Sequence, residues 1–133
     1  MALPAERRLQ QVATADVARF AVLALERASA LRGERVELAG DDLTGPEAAS
    51  ALTRASGRDI QYQELDPREL GSVSPGLVAL FDWLDRVGTH ADIGALHRAY
   101  PEFGWQSFAQ WAKARDWSWL RQRCLTSVSP AGE

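Results

Sequence analysis

The residues best placed to do chemistry in this chain are His97 and Tyr100, three apart and so on one face of a helix that carries both. An imidazole and a phenol at that spacing can orient a polar substrate or move a proton, and imidazole titrates nearest neutral pH. Around them in the sequence stand Trp83, Asp85, His90, Asp92 and Trp105. Five tryptophans are many for 133 residues, and four of them, Trp105, Trp111, Trp117 and Trp119, follow Gly104. Indole rings line apolar pockets whose few polar groups fix a ligand, and they also fill cores built from short helices. Two readings therefore stand side by side. In one, these residues form a small-molecule pocket, with His97 and Tyr100 as proton-handling groups and Trp83, Asp85, His90, Asp92 and Trp105 contacting the ligand. In the other, they are hydrogen-bonded structural residues in an aromatic core.

Several other chemistries have no residues to carry them. The ten glycines contain no G-x-G-x-x-G and no G-x-x-G-x-x-G, so no loop is built to cradle a pyrophosphate at a helix N-terminus. Lys113 is the single lysine and Ala109 stands four before it, which removes a Tyr-x-x-x-Lys pair. Two histidines and one cysteine, widely spaced, supply no zinc set. No serine sits in a nucleophile elbow. The expectation is a chain with no cofactor site and no metal site of its own.

Lys113, Arg115, Arg121 and Arg123 surround Trp117 and Trp119, a basic-aromatic pattern of the kind that holds single-stranded nucleic acid. Four cations on a chain of net charge −3 support that weakly, and the alternative is a C-terminal segment pinned by its tryptophans. No apolar run approaches the ~20 residues of a membrane helix, and MALPAERRLQ lacks the apolar core of a signal peptide. A single cysteine, Cys124, forms no internal disulfide and suits a reducing cytoplasm.

The elements that must position these residues are organised around Arg35 to Leu65. Arg35–Ala39 alternates Val36 and Leu38 with Arg35 and Glu37, which predicts a half-buried strand. Gly40-Asp41-Asp42 is turn chemistry. Thr44 with Glu47 forms a capping box for a helix carrying Pro46 in its first turn and stopped by Gly57. Ile60, Tyr62 and Leu65 begin a second extended run, so the unit predicts a right-handed β-α-β crossover joining parallel strands.

Before this unit, Gln10–Ala13 reads as a short strand and Thr14 as the cap of a helix marked by Val17, Phe20, Ala21, Ala24, Ala28 and Leu31. Val22, Leu23 and Leu25 widen its apolar surface beyond one stripe, so it should be covered on more than one side. After the unit come a helical turn at Asp66–Leu70, a loop at Gly71–Gly76 and a helix from Pro75 to Val87 stopped by Gly88. Leu77, Leu80, Phe81, Leu84 and Val87 stripe that helix. A short helix at Ile93–Tyr100 breaks at Pro101–Gly104, and Ser107 with Gln110 caps a last helix.

The order of these motifs resembles the C-terminal half of the NmrA-like family, atypical short-chain dehydrogenase/reductase relatives that bind NAD(P). The resemblance rests on Leu38-Ala39-Gly40, the capped helix ending Ser56-Gly57-Arg58, and Ile60-Gln61-Tyr62. It also rests on Val12–Ala18, Phe81-Asp82-Trp83, Tyr100-Pro101-Glu102 and Phe108–Trp111, and covers roughly residues 8 to 117. It implies that the nucleotide-binding half precedes Met1, that the region from Trp83 to Trp105 belongs to a substrate lobe, and that Asp16 is the helix-start aspartate facing the helix dipole.

The expected fold is therefore α+β and helix-rich, with a small two- to three-stranded, mainly parallel sheet and four to five packed helices. Residues 1–126 form one substrate-lobe domain and 127–133 a disordered tail. The expected function is a free-standing domain that binds a hydrophobic or oxygenated metabolite. Its alternatives are a cofactor-independent isomerase, cyclase or dehydratase using the same pocket, and one subunit of a split NAD(P)-dependent reductase. The expected partner is a second copy, or a Rossmann-domain chain, because two or three short strands leave edges to pair.

Overall fold

The computed structural model describes residues 2–66, 69 and 74–123. They run as β1 (Arg8–Gln11), α1 (Thr14–Glu26), α2 (Ala28–Leu31), β2 (Asp41–Thr44), α3 (Gly45–Ser56), α4 (Pro75–Arg86), α5 (Ile93–Ala99), a 3-10 turn at Pro101–Phe103, α6 (Phe108–Lys113) and α7 (Ser118–Arg123). The helix-rich α+β class is as expected.

The sheet corrects the expected parallel β-α-β unit. β1 and β2 pair antiparallel, with Arg8 opposite Thr44, Leu9 opposite Leu43, Gln10 opposite Asp42 and Gln11 opposite Asp41. β1 thus begins two residues before the expected Gln10–Ala13, and β2 is the Asp41-Asp42 stretch that reads as a turn. Arg35–Ala39 and Ile60–Leu65 join no ladder among the described residues. Aspartate is depleted in strands, but here distant donors take both carboxylates. Asp41 Oδ2 accepts from the Phe108 amide at 3.0 Å, and Arg8 lies 3.6 Å from Asp42 and 3.3 Å from Glu47. The Gly40 amide donates to the Gln11 carbonyl at 2.8 Å, which delivers the chain to β1. A Cβ at Gly40 would lie 2.7 Å from the Gln106 carbonyl oxygen, so no larger residue fits there. Ile60 is diverted from pairing by one side chain: Thr53 Oγ1 accepts from its amide at 3.0 Å and donates to its carbonyl at 3.2 Å.

α3 starts and stops where its local chemistry dictates. The Glu47 amide donates to Thr44 Oγ1 at 3.3 Å, the Thr44 amide donates to Glu47 Oε2 at 2.8 Å, and Pro46 sits in the first turn. That amide and the cationic Arg8 hold the Glu47 carboxyl below the usual carboxylate range. Gly57 ends the helix at φ 69°, in the left-handed region glycine enters freely. α6 repeats the device, with Ser107 and Gln110 exchanging bonds of 2.9 and 3.2 Å. α3 packs on α6 and β2, and the buried positions of the two helices are all small side chains, Ala112, Ser56, Ala51 and Ala49.

The more apolar helices fare differently. α1 does not use Thr14 as its cap: Ala13 holds that position without a side-chain bond, and the Asp16 and Val17 amides reach the Ala13 carbonyl. Phe20 is buried, but Val17, Val22 and Leu25 are uncovered. α4 has the expected span and Gly88 follows it at φ 73°, yet none of its residues is buried. Leu77, Leu80 and Trp83 are 39 to 47% exposed. Its link to the body is Arg7, whose guanidinium donates to the Leu84 carbonyl at 2.9 and 3.2 Å.

The turn at Asp66–Leu70 and the loop at Gly71–Gly76 fall largely outside the described residues, as do Cys124 and the tail 127–133. Among the described residues no helix is long and apolar enough to cross a membrane.

Candidate functional site

The aromatic cluster forms around Phe20 of α1. The Tyr100 ring meets it edge-on at 5.0 Å, with Phe103 at 5.7 Å and Trp105 at 5.8 Å. Phe103 and Trp105 lie 4.2 Å apart, and the His97 ring stacks on Trp105 at 5.9 Å with planes 10° apart. The local cause is a broken helix. Pro101 disfavours helical geometry at the residue before it, and Gly104 at φ 66° turns the chain so that Phe103 and Trp105 both reach Phe20. Asp16, 2% exposed, fastens this turn to α1: its carboxylate accepts from the Gln106 amide at 2.9 Å and from Arg19 at 2.6 Å. The helix-start aspartate is thus more than a dipole partner; it is a tertiary clamp.

The break puts Tyr100 just outside the helix that carries His97. α5 ends at Ala99, and Tyr100 has left helical geometry at φ −133°, ψ 60°. Tyr100 borders an open groove with Asp92, Ala95, Leu96, Ala99 and residues 35–37. His97 sits on Trp105 instead, and His97 Nε2 and Trp105 Nε1 are buried without a hydrogen-bond partner. Asp92 caps α5, its Oδ1 accepting from the Ala95 amide at 2.7 Å.

The remaining candidates lie elsewhere. Asp85 and His90 line a polar cleft with Arg7, Arg8 and Asp42. Asp85 stands 3.9 Å from Arg7, and His90 Nε2 is 2.6 Å from the Val87 carbonyl oxygen. Trp83 points from α4 and is exposed. Among the described residues no group of three or more His, Cys, Asp or Glu is placed to hold a metal. In the basic-aromatic segment, Trp117 Nε1 donates to the Ala112 carbonyl at 2.8 Å, and its ring meets Trp111 edge-on at 6.3 Å. Arg115 lies over Trp111 at 5.2 Å. The side chains of Arg121 and Arg123 are outside the description.

The sequence reading missed an apolar cleft of about 370 Å³ between the sheet, α3 and residues 60–65. Leu3, Leu9, Leu43, Leu52, Ile60 and Leu65 line it, with Tyr62 and Gln11 among its polar groups. The Tyr62 hydroxyl donates to the Leu3 carbonyl at 2.5 Å. Burial pushes the Tyr62 phenol up from its ordinary value, the Glu64 charge adds to this, and the bond to Leu3 opposes it. Its ring lies where a Cβ on Gly45 would come within 2.1 Å, so only glycine at 45 leaves room for it. The apolar residues Ile60, Tyr62 and Leu65 of the expected extended run were the available signal: all three line the cleft, without a strand forming.

The pattern of the NmrA-like family matches residues 1–110 of this chain. No curated protein matches it.

Proposed function

The chain belongs to the NmrA-like family, and from that premise we propose that it is a substrate lobe that binds a small, largely apolar metabolite without a nicotinamide site of its own. The observation that carries this reading is the cleft of about 370 Å³ beneath α3. Small-molecule sites are apolar hollows of roughly 300–1,000 Å³ in which a few polar groups orient the ligand. Here Tyr62 and Gln11, which line the cleft, take that role. The chain's lack of a glycine-rich phosphate loop and of a Tyr-x-x-x-Lys pair supports the second half of the proposal.

Titration calorimetry and dye fluorescence test it. NADH and NADPH are expected to give no binding heat, whereas 1-anilinonaphthalene-8-sulfonate brightens at one site. Ala48→Trp, which fills the cleft, is expected to remove that site while the circular dichroism stays native. A micromolar Kd for either dinucleotide, or dye binding that ignores Ala48→Trp in the folded variant, sinks the reading.

A second reading, the subunit of a split reductase, is favoured by α4, whose Leu77, Leu80 and Trp83 have no cover among the described residues. A separate nucleotide-binding chain docked there would bury them. NADPH oxidation that requires both chains, and that is lost with Leu80→Asp, is its signature.

A further inference from the structure

Arg35–Ala39 forms no helix, strand or turn, alternates exposed and half-buried residues from Arg35 to Leu38 as a strand edge would, and has no backbone N–H or C=O hydrogen-bonded to a described residue. Backbone polar groups are obligatory hydrogen-bonding groups, and an open extended edge is a template for another strand. Arg35 and Glu37 are exposed and ion-paired to each other at 2.8 Å, which puts them on one face. Val36 and Leu38 are half-buried, and Val36 borders the groove in front of Ala95, Ala99 and Tyr100.

We propose that this stretch is the seam of a homodimer: it pairs antiparallel with the same stretch of a second copy, about a two-fold axis through Val36. Charge decides both the occupant and the register. In a two-fold antiparallel ladder one residue lies opposite itself. With Arg35 or Glu37 on the axis, like charges face each other directly, which is destabilising. With Leu38 on the axis the ladder slides onto Ala39, which is 1% exposed, and Gly40, whose amide already serves Gln11. With Val36 on the axis, Arg35 faces the partner's Glu37, Glu37 faces the partner's Arg35, and two valines meet between them. The Arg-Val-Glu triplet is therefore complementary to its own antiparallel copy, as a symmetric interface requires. Nothing in a nucleotide-binding chain is needed to match it.

The seam is independent of what the cleft binds, so its failure and the failure of the ligand proposal are separate results. Light scattering and sedimentation on the full chain are the measurement, with 14.6 kDa the monomer mass. The wild type is expected to be a dimer. Glu37→Arg places arginines opposite arginines and is expected to weaken association at least tenfold. The double exchange Arg35→Glu with Glu37→Arg restores the alternation and is expected to restore the dimer. Val36→Pro, which removes the amide at the axis, is expected to give monomer, with circular dichroism reporting that it folds; should it unfold, Glu37→Gln replaces it and is expected to weaken association a few-fold. A wild-type monomer overturns the proposal. So does a dimer indifferent to Glu37→Arg, a loss that the double exchange does not rescue, or association seen only when a nucleotide-binding chain is added.

Discussion

α3 and α4 have the same length, twelve residues each, and the more apolar of the two is the one left outside. α4 carries leucines, a phenylalanine and a tryptophan, yet buries none of its residues. α3 is built from alanine, serine and threonine and buries Ala49, Ala51 and Ser56 against the sheet and α6. Hydrophobicity alone ranks them the wrong way round. Small side chains let two backbones approach closely, and both α3 and α6 have ends satisfied by capping boxes, so they dock as finished units. α4 offers more apolar area, but among the described residues it has no extensive contact with another element, and the Arg7 guanidinium ties it to the body. A large apolar stripe is thus a demand for a partner, and the described elements of the chain do not meet it.

The comparison can be broken at its tight end first. Ala112 is 0% exposed, so Ala112→Leu has to push α6 off its neighbours. Overpacking of this kind is expected to cost about 3 kcal/mol, at the upper end of the usual range, read from urea unfolding at pH 7. A cost under about 0.5 kcal/mol, the level of an ordinary surface change, would show that the α3–α6 contact is no tighter than the surface of α4.

Asp16→Ala comes next. It leaves the Gln106 amide without its acceptor and Arg19 without its partner. Hydrogen bonds to a charged group contribute about 2 kcal/mol, and the loss should be accompanied by a changed near-ultraviolet signal as Trp105 loosens. An unchanged tryptophan signal would mean that the aromatic cluster holds the turn without the clamp.

Thr44→Ala removes the cap of α3 and is expected to cost about 1 kcal/mol. The capping box as a whole should depend on pH with a definite sign. The Glu47 carboxyl is held low in the folded protein, chiefly by the Thr44 amide, so its contribution is present above the ordinary carboxylate range. It is lost as pH falls through the folded value. The substitution keeps the backbone amide at position 44, so wild type and variant should lose stability together on acidification and stay parallel; curves that converge would show that losing the hydroxyl also releases the Glu47 carboxylate.

The smallest effect is expected on α4. Leu80→Gln in the isolated chain should change stability by no more than about 0.5 kcal/mol, because Leu80 is already 47% exposed. A loss above about 2 kcal/mol, the scale of a buried leucine, would show that α4 is packed in solution and would erase the contrast with α3.

How much was legible follows the same divide. The Thr44–Glu47 and Ser107–Gln110 boxes and the Gly57 stop could be read because each bond spans three or four residues. The departure of Tyr100 from the helix of His97 was also written in the chain: Pro101 follows Tyr100, and a pre-proline residue leaves the helix. Two strands were misplaced because Asp41 and Asp42 look like turn residues until Phe108 and Arg8 arrive to take their carboxylates. The apolar cleft could not be assembled from the sequence, since its leucines come from the N-terminus, both strands, α3 and the segment after it.

By itself, then, the amino-acid sequence determined the helix-rich class, both ends of α3, the start of α6 and the crowding of aromatic rings around the Pro101 break. These depend on interactions within about one helical turn, whose partners are close in the chain whatever the fold becomes. Only the tertiary structure decided that β1 meets β2 antiparallel, that α3 rather than α4 enters the core, and that Asp16 clamps Gln106. Each of those turns on which distant donor or small side chain arrives, and a hydrophobic or charged residue in sequence states a need without naming what will satisfy it.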